Sequence, residues 1–313
     1  MTADVPPGRN PAPTAAIRIA YVILAHHRPE AVIRLVRRLC APDHGFFIHY
    51  NRRSPDAEYA RLTGGLADLP NVRMLARHHC SWGDAGMVTA ALKAIQEMAH
   101  LGFIYDYAIL LTGQDYPIKT DAQSRQRLAA AAGASFMEWA AWPIPNWENG
   151  RAIKRIEHFH WHLPFPRWAR SLGWPVHRQN LAFPLKRKIP GGLHPHFGSA
   201  FWCLHRSAQQ YIQEYVTRHP DYVRFFDHVM IPDECFFQTL LMNSPLAPAV
   251  AARNLTYVDW RPPWPGILTM ADLPRLQQSD CLFARKFDPA TDSQILDLLD
   301  RLWPAPASAA RPA

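Results

Sequence analysis

Between residues 17 and 120, unbroken apolar runs alternate with amphipathic stretches, and few folds accept that pattern. Ile17 to Ala25 is apolar apart from Arg18, which suits a strand buried on both faces. Pro29 follows at a helix start, and Val32, Leu35, Val36 and Leu39 then recur at helical spacing. Gly45 to Tyr50 predicts a second strand and Asn71 to Leu75 a third. Residues 85–99 predict a helix with Val88, Ala91, Leu92, Ile95 and Met98 on one face. Tyr107 to Leu111 predicts a fourth strand, which runs into the loop Thr112-Gly113-Gln114-Asp115-Tyr116-Pro117. This β-α-β-α order implies an α/β fold, a mainly parallel central sheet flanked by helices on both faces. Ligands of such sheets bind beyond the carboxyl ends of the strands. The residues to search are therefore 25–29, 49–54, 76–86 and 112–119.

The second half is less periodic. Residues 140–195 are rich in Trp, Pro, Arg, Lys and His and read as a long, partly irregular excursion. Phe197 to His205 predicts a strand, residues 207–217 a helix, and Pro232 opens a further helix. Leu255 to Trp260 predicts a short strand, and Ile295, Leu298, Leu299 and Leu302 mark a last helix. Pro and Ala dominate residues 1–15 and 304–313, which are expected to be a loose arm and tail around one domain, 16–303.

Charge narrows the partners without choosing one. The chain has 34 Lys and Arg against 26 Asp and Glu, a net charge of +8. Such a balance favours nucleic acid, an acidic membrane face or phosphate-bearing substrates, and it equally serves solubility. The basic residues are scattered and no helix-turn-helix or RNA-binding signature occurs, so nucleic acid is not an expected partner. The 5 cysteines are odd in number with no CxxC pair, which argues against a disulfide framework or a zinc knuckle. No apolar run reaches the ~18 residues of a membrane span. Phosphate-cradling glycine motifs, a GxSxG elbow and HExxH are all absent.

A few residues have the chemistry to act. In Ile231-Pro232-Asp233-Glu234 two carboxylates occupy a predicted first helical turn, where the helix dipole keeps them ionised. An ionised carboxylate facing a cleft can take a proton from an alcohol, although acidic residues also favour first turns without any chemistry. Arg285 and Lys286 lie between aromatics and could hold a diphosphate, Arg as a fork and Lys as a point charge. They could equally be a solvated basic pair. Asp115, just past a strand end, could bind a metal, a ribose or a sugar hydroxyl, or cap its turn. No second acid stands two residues from it, so no D-x-D pair offers a divalent-ion site. His158, His160 and His162 alternate and would share one face of a strand. Adjacent strand positions rarely converge on one zinc, so this is a weak metal candidate. His26 and His27 end the first strand, where a ligand or simple loop packing would suit them.

Six segments, in order, resemble the core-2/I-branching glycosyltransferases (glycosyltransferase family 14), which include β-1,6-N-acetylglucosaminyltransferases and peptide O-xylosyltransferases. They are Ala20–His27, Phe47–Asn51, Leu110–Thr120, Gly198–Trp202, Pro232–Glu234 and Leu282–Asp288. The resemblance implies a GT-A-like fold, with residues 16–120 as the nucleotide-binding half and 121–303 as the acceptor and catalytic half. It implies a UDP-sugar donor, inversion at the anomeric carbon and no required metal or other cofactor. By motif, Glu234 is implied as general base and Lys286 as the cation on the donor diphosphate. Arg261 is the best candidate for a second cation there, beside Arg285. His26 and Asn51 are expected near the nucleotide; Asn51 stands where family members often carry Asp. Asp115, Gly198, Ser199 and Asp233 are expected around the sugar and acceptor. Trp82, Trp202 and Trp260 could be acceptor platforms or core. The transferred sugar is expected to be N-acetylglucosamine or xylose, and the acceptor a glycan, a lipid-linked precursor or a protein. Animal members of the family are Golgi membrane proteins with several disulfides. The expectation for this chain is a bacterial, cytoplasmic form in peripheral contact with the inner membrane. The alternative is a non-catalytic relative that binds a glycan or an acidic polymer.

Overall fold

The computed structural model describes residues 17–145, 151–162, 180–183, 185–262 and 264–306. The arm expected over 1–15, the tail beyond 306 and part of the 140–195 excursion lie outside the described residues.

The alternation is realised as β1 (Ile19–Ala25), α1 (Pro29–Leu39), β2 (Gly45–Tyr50), α2 (Asp56–Gly65), β3 (Val72–Met74), α3 (Gly86–His100) and β4 (Tyr107–Thr112). Then come β5 (Tyr116–Pro117), α4 (Asp121–Ala130), β6 (Ser135–Met137), β7 (Ala140–Ala141), α5 (Arg151–Glu157), β8 (Phe159–His162) and β9 (Asn180–Phe183). They are followed by β10 (His196–Phe197), β11 (Trp202–His205), α6 (Arg206–Arg218), α7 (Pro220–Phe226), α8 (Phe236–Met242) and β12 (Val250–Ala251). The last described elements are β13 (Thr256–Val258), β14 (Trp260–Arg261), β15 (Trp264–Pro265), α9 (Leu273–Gln278), β16 (Phe283–Arg285) and α10 (Gln294–Leu302).

The main sheet has the order β12-β6-β11-β4-β1-β2-β3. β1 pairs parallel with β2 and β4, β2 with β3, and β12 with β6; β11 runs antiparallel between β4 and β6. All of β1 is buried because helices cover both faces, which is why its sequence is apolar without alternation. One face packs Val88 and Ile95 of α3, Ile212 of α6 and Phe237 of α8. The other packs Val32 and Val36 of α1, Leu276 of α9 and Leu299 of α10. This is the mainly parallel α/β architecture that the sequence implies.

A second sheet, β13-β16-β5, brings the C-terminal third back to the end of β4. Its pairing of Ala284 with Tyr116 sets Arg285 and Lys286 beside the loop that follows β4.

Two expectations are corrected. Phe197 to His205 is not one strand: β10 pairs with β7, whereas β11 enters the main sheet. The first strand ends at Phe197, and at Gly198 a Cβ would lie 1.8 Å from the Glu138 carbonyl oxygen. The helix expected from Pro232 is interrupted as well. Pro232–Glu234 form a short 3-10 turn, Cys235 adopts a non-helical φ of −147°, and α8 begins only at Phe236.

Candidate active site

The search begins where β1, β2 and β4 end. The Asn51 N–H donates to the Ala25 carbonyl (2.8 Å), and Gly113 N–H donates to that of Leu24 (3.1 Å). These bonds gather the three strand-end loops at one edge of the sheet. His26 stands exposed at the tip of β1. Partial desolvation, then His27 and Lys286, lower its pKa, so Lys286 lies within electrostatic reach of it.

Asn51 is committed to structure. Its amide donates to the Cys80 carbonyl (2.7 Å) and accepts from the N–H groups of Arg53 (3.0 Å) and Cys80 (3.2 Å). It thus ties the loop after β2 to the loop after β3. Sequence reasoning missed Arg77, which does similar work through the carbonyls of Tyr50, Asn51 and Ser54 and an ion pair with Asp56.

Asp115 is likewise committed, with its carboxylate buried. It accepts from the Thr112 N–H (2.7 Å), the Thr112 hydroxyl (2.8 Å) and Arg285 Nε (3.0 Å). Burial raises its pKa while Arg285 and Thr112 pull it down. The structure therefore makes Asp115 the anchor of Arg285. The guanidinium carbon of Arg285 also lies 4.4 Å from the centre of the Phe201 ring.

Lys286 differs from its neighbour. Its backbone is held on both sides, by Gly266 (3.4 Å) and Leu268 (2.8 Å), while Phe287 bonds to the Gln114 carbonyl (2.9 Å). Its half-buried ammonium has no hydrogen-bond or ion-pair partner among the described residues. Desolvation, then Arg285, lowers its pKa, against the opposing pull of Asp115. A cation fixed by its backbone and short of a counter-charge is suited to an anionic ligand. Arg261 is engaged instead with Asp259 (2.6 Å) and Asp272 (3.1 Å). It still belongs to this neighbourhood, because a Cβ on Gly266 would lie 2.7 Å from its Cδ and Nε.

Glu234 occupies the 3-10 turn ahead of α8, so the dipole argument made for a continuous helix does not hold as stated. Its carboxylate is held by Arg155 of α5 (2.9 Å) and keeps a side-chain exposure of 33%. Its own carbonyl accepts from the Gly198 N–H (2.9 Å), and Gln238 Nε2, four residues on, donates to the Ser199 carbonyl (2.8 Å). Gly198 and Ser199 therefore run against the carboxylate turn and lead directly to Phe201 and Arg285. Ile231, with φ of 54°, donates to the Gly83 carbonyl (2.9 Å), which brings the loop after β3 to the same turn. Arg155 had no sequence signal beyond a basic stretch, and Asp84 none beyond its place after Trp82-Gly83.

Asp233, beside Glu234, has no side-chain hydrogen-bond partner among the described residues. Desolvation first, then Glu234 and Asp84, push its pKa up to about 7. Trp202, by contrast, is 2% exposed and packs edge-on to Phe237. It is core and cannot meet an acceptor; burial of a large apolar side chain, worth roughly 1.5–3 kcal/mol, explains its place.

Among the described residues His49, His78 and Cys80 offer donor atoms within 4.8 Å of one another. Their hydrogen bonds leave little for an ion. His49 Nε2 accepts from the His78 N–H (3.2 Å). His78 Nε2 faces the Gly86 carbonyl (2.9 Å) and so carries the proton, while the Lys93 ammonium stands 3.2 Å from Nδ1. Both imidazole lone pairs are already used. The alternating histidines fare no better, since His160 is buried with Nε2 on the Lys154 carbonyl (3.1 Å). The side chain of His162 lies outside the described residues.

Fold and site together define a mainly parallel α/β protein whose carboxylate turn and cationic loop meet the strand-end loops. The chain belongs to the Core-2/I-Branching enzyme family, whose model matches residues 19–278. It is similar to Xylosyltransferase oxt of Drosophila melanogaster, 25% identical over 309 residues that cover 90% of this chain and 33% of that protein. It is similar also to Xylosyltransferase 2 of Rattus norvegicus, 26% identical over 310 residues, with 91% and 33% covered. The chain thus spans about a third of the length of these relatives. Among solved structures, the mannosyltransferase Ktr4p from S. cerevisiae aligns over 72% of this chain and 66% of that one. Its TM-score is 0.35 and its identity 10%. No helix among the described residues is long and apolar enough to cross a membrane.

Proposed function

We propose that this protein is a glycosyltransferase that moves a sugar, N-acetylglucosamine or xylose, from a UDP-sugar to an acceptor hydroxyl with inversion. The observation that carries this reading is the half-buried ammonium of Lys286, without a partner among the described residues, beside a loop network that leads to Glu234. Family membership and the xylosyltransferase relatives support the transferase class, and the site supports the division of labour.

The chemistry follows from charge. An alcohol is a weak nucleophile, so its proton must leave as its oxygen bonds to the anomeric carbon. Glu234 accepts that proton. The bond from the anomeric carbon to the diphosphate oxygen breaks from the opposite side, and UDP departs with the electron pair. One displacement inverts the centre. The charge growing on UDP meets Lys286, with Arg285 and Arg261 nearby, in place before the reaction and costing no reorganisation. Cations in that position take the part a divalent ion would play, so we propose a metal-independent reaction. His26 and the loop pinned by Asn51 border the nucleotide. Gly198, Ser199 and Asp233 border the transferred sugar and acceptor. The acceptor is a glycan, a lipid-linked precursor or a protein. The net positive charge suits peripheral contact with an anionic inner membrane from the cytoplasm.

Glu234→Gln keeps the shape and removes the base. The expected result is a kcat lower by about 10²–10⁴-fold with UDP affinity unchanged. Full transferase activity in this variant would take the role of base away from Glu234, and no turnover in wild type would return the protein to the non-catalytic binding reading.

A further inference from the structure

Arg28, between β1 and α1, has φ of 54° and ψ of 65°. This is the left-handed region, where a Cβ crowds the following carbonyl and glycine is the undemanding occupant. Backbone held in such a region gathers at functional sites, where the surrounding structure fixes it. The Arg28 carbonyl accepts from the N–H groups of Ala31 (3.0 Å) and Val32 (3.4 Å) and so opens α1. A glycine would open the helix as well, so the side chain must be considered. It forms an ion pair with Asp288, two residues past Lys286. Asp288 is the more buried partner, with a side-chain exposure of 15% against 37% for Arg28. Its Oδ1 also accepts from the Ala290 N–H (2.8 Å), so its own turn holds the carboxylate in place for Arg28. The pair joins two loops from opposite ends of the chain. The loop after β1 carries His26, whose carbonyl accepts from the Ser54 hydroxyl (2.6 Å). The loop after β16 carries Lys286, and there the Phe287 N–H donates to the Gln114 carbonyl (2.9 Å). The ion pair bonds the two loops directly, beside the point where Lys286 comes within electrostatic reach of His26.

We propose that Arg28 and Asp288 are positioning residues for the donor: their ion pair sets the spacing between the loop that borders the nucleoside and the ammonium that meets the diphosphate. This rests on the UDP-sugar reading of the site. The pair acts through the loops and does not touch the donor. A nucleoside diphosphate spans both loops, and its two halves reinforce each other only when the loops stand at the matching distance. A free nucleoside uses the first loop alone, and inorganic pyrophosphate uses the second. The pair therefore matters to the joined ligand and not to its parts. A partly exposed ion pair adds little to stability, and relief of the left-handed arginine in Arg28→Gly offsets some of what the bond contributes. Donor affinity and stability are thus expected to separate.

The test is calorimetric titration of UDP, uridine and pyrophosphate, with thermal unfolding midpoints taken alongside. Wild type, Arg28→Gly, Arg28→Lys, Asp288→Asn and the double variant Arg28→Gly/Asp288→Asn are compared. Asp288→Asn keeps the acceptor for Ala290 and removes the charge. UDP affinity is expected to fall by about tenfold in Arg28→Gly and in Asp288→Asn, as its two halves cease to reinforce each other. The double variant should be no weaker than either single one, because both changes remove the same bond. Arg28→Lys should keep most of the affinity. Uridine and pyrophosphate should bind all five proteins alike, and the unfolding midpoints should stay close together. UDP affinity unchanged in both single variants would overturn the proposal, as would losses that add in the double variant. A loss confined to Arg28→Gly would also overturn it, by making Arg28 a direct ligand of the diphosphate. Uridine weakened as much as UDP would do the same, by showing that the loop after β1 has lost its shape. Each of these outcomes leaves UDP bound to wild type and the donor reading intact. Wild type that binds none of the three ligands would sink the donor reading itself, and this inference with it.

Discussion

Carboxylates in this site have different tasks because their surroundings differ. Asp115 is buried on three donors, one of them Arg285, and its loss would leave that guanidinium uncompensated. Asp115→Ala is expected to cost about 3–5 kcal/mol, the range for breaking a buried ion pair, read as a lower denaturation midpoint. Asp233 has no side-chain donor among the described residues and a hydrogen bond only from its own backbone, and its pKa rises from 3.8 to about 7. Between those values the folded chain keeps a proton that the unfolded chain has released, so stability falls as pH rises through that window. Asp233→Asn removes this slope. Denaturation midpoints of wild type should therefore decline relative to the variant between about pH 4 and about pH 7 and run parallel above it. Parallel curves throughout would mean that Asp233 ionises freely in the folded protein.

At the scale of elements, legibility followed how much apolar surface each one buries. α1 and α3 bury a full stripe and were plain from spacing alone. α2 buries only Leu62, and α4 only Ser124 and Leu128, so neither left a periodic signal. α4 did carry a capping box, Thr120 with Gln123, which was the available clue. The break at Gly198 and the turn at Glu234 depend on each other across the chain. Glu234 gives its carbonyl to Gly198 rather than to a helix, and no local pattern records a bond between residues so far apart. Gly198→Ala tests that junction. Its methyl would overlap the Glu138 carbonyl, and the backbone must move. The expected cost is about 1–3 kcal/mol of stability. Because the same movement shifts Glu234, kcat should fall more than the affinity for UDP, which steady-state kinetics and calorimetry separate.

Across the whole molecule, the mainly parallel sheet and the edge that bears the site were readable from the order of elements, since strand ends dictate where a ligand can enter. Asp115 and Arg285 are paired there and Gly198 is bonded to the Glu234 turn, but the duties of these residues were not readable. Asn51, Asp115 and Arg285 hold loops and each other, Trp202 fills the core, and Arg261 is engaged by two aspartates. Only three-dimensional pairing shows which charges are spent, and it leaves the Lys286 ammonium at this site without a hydrogen-bond or ion-pair partner among the described residues. The direct test of the central claim is the thermal unfolding midpoint of EDTA-treated wild type and Lys286→Met, with and without UDP. A ligand that binds only the folded state adds about 2.7 kcal/mol at a hundredfold excess over its Kd. The account predicts that UDP raises the wild-type midpoint without any divalent ion and barely moves that of Lys286→Met. No shift for wild type until Mn²⁺ is added, or an equal shift in both proteins, would contradict it.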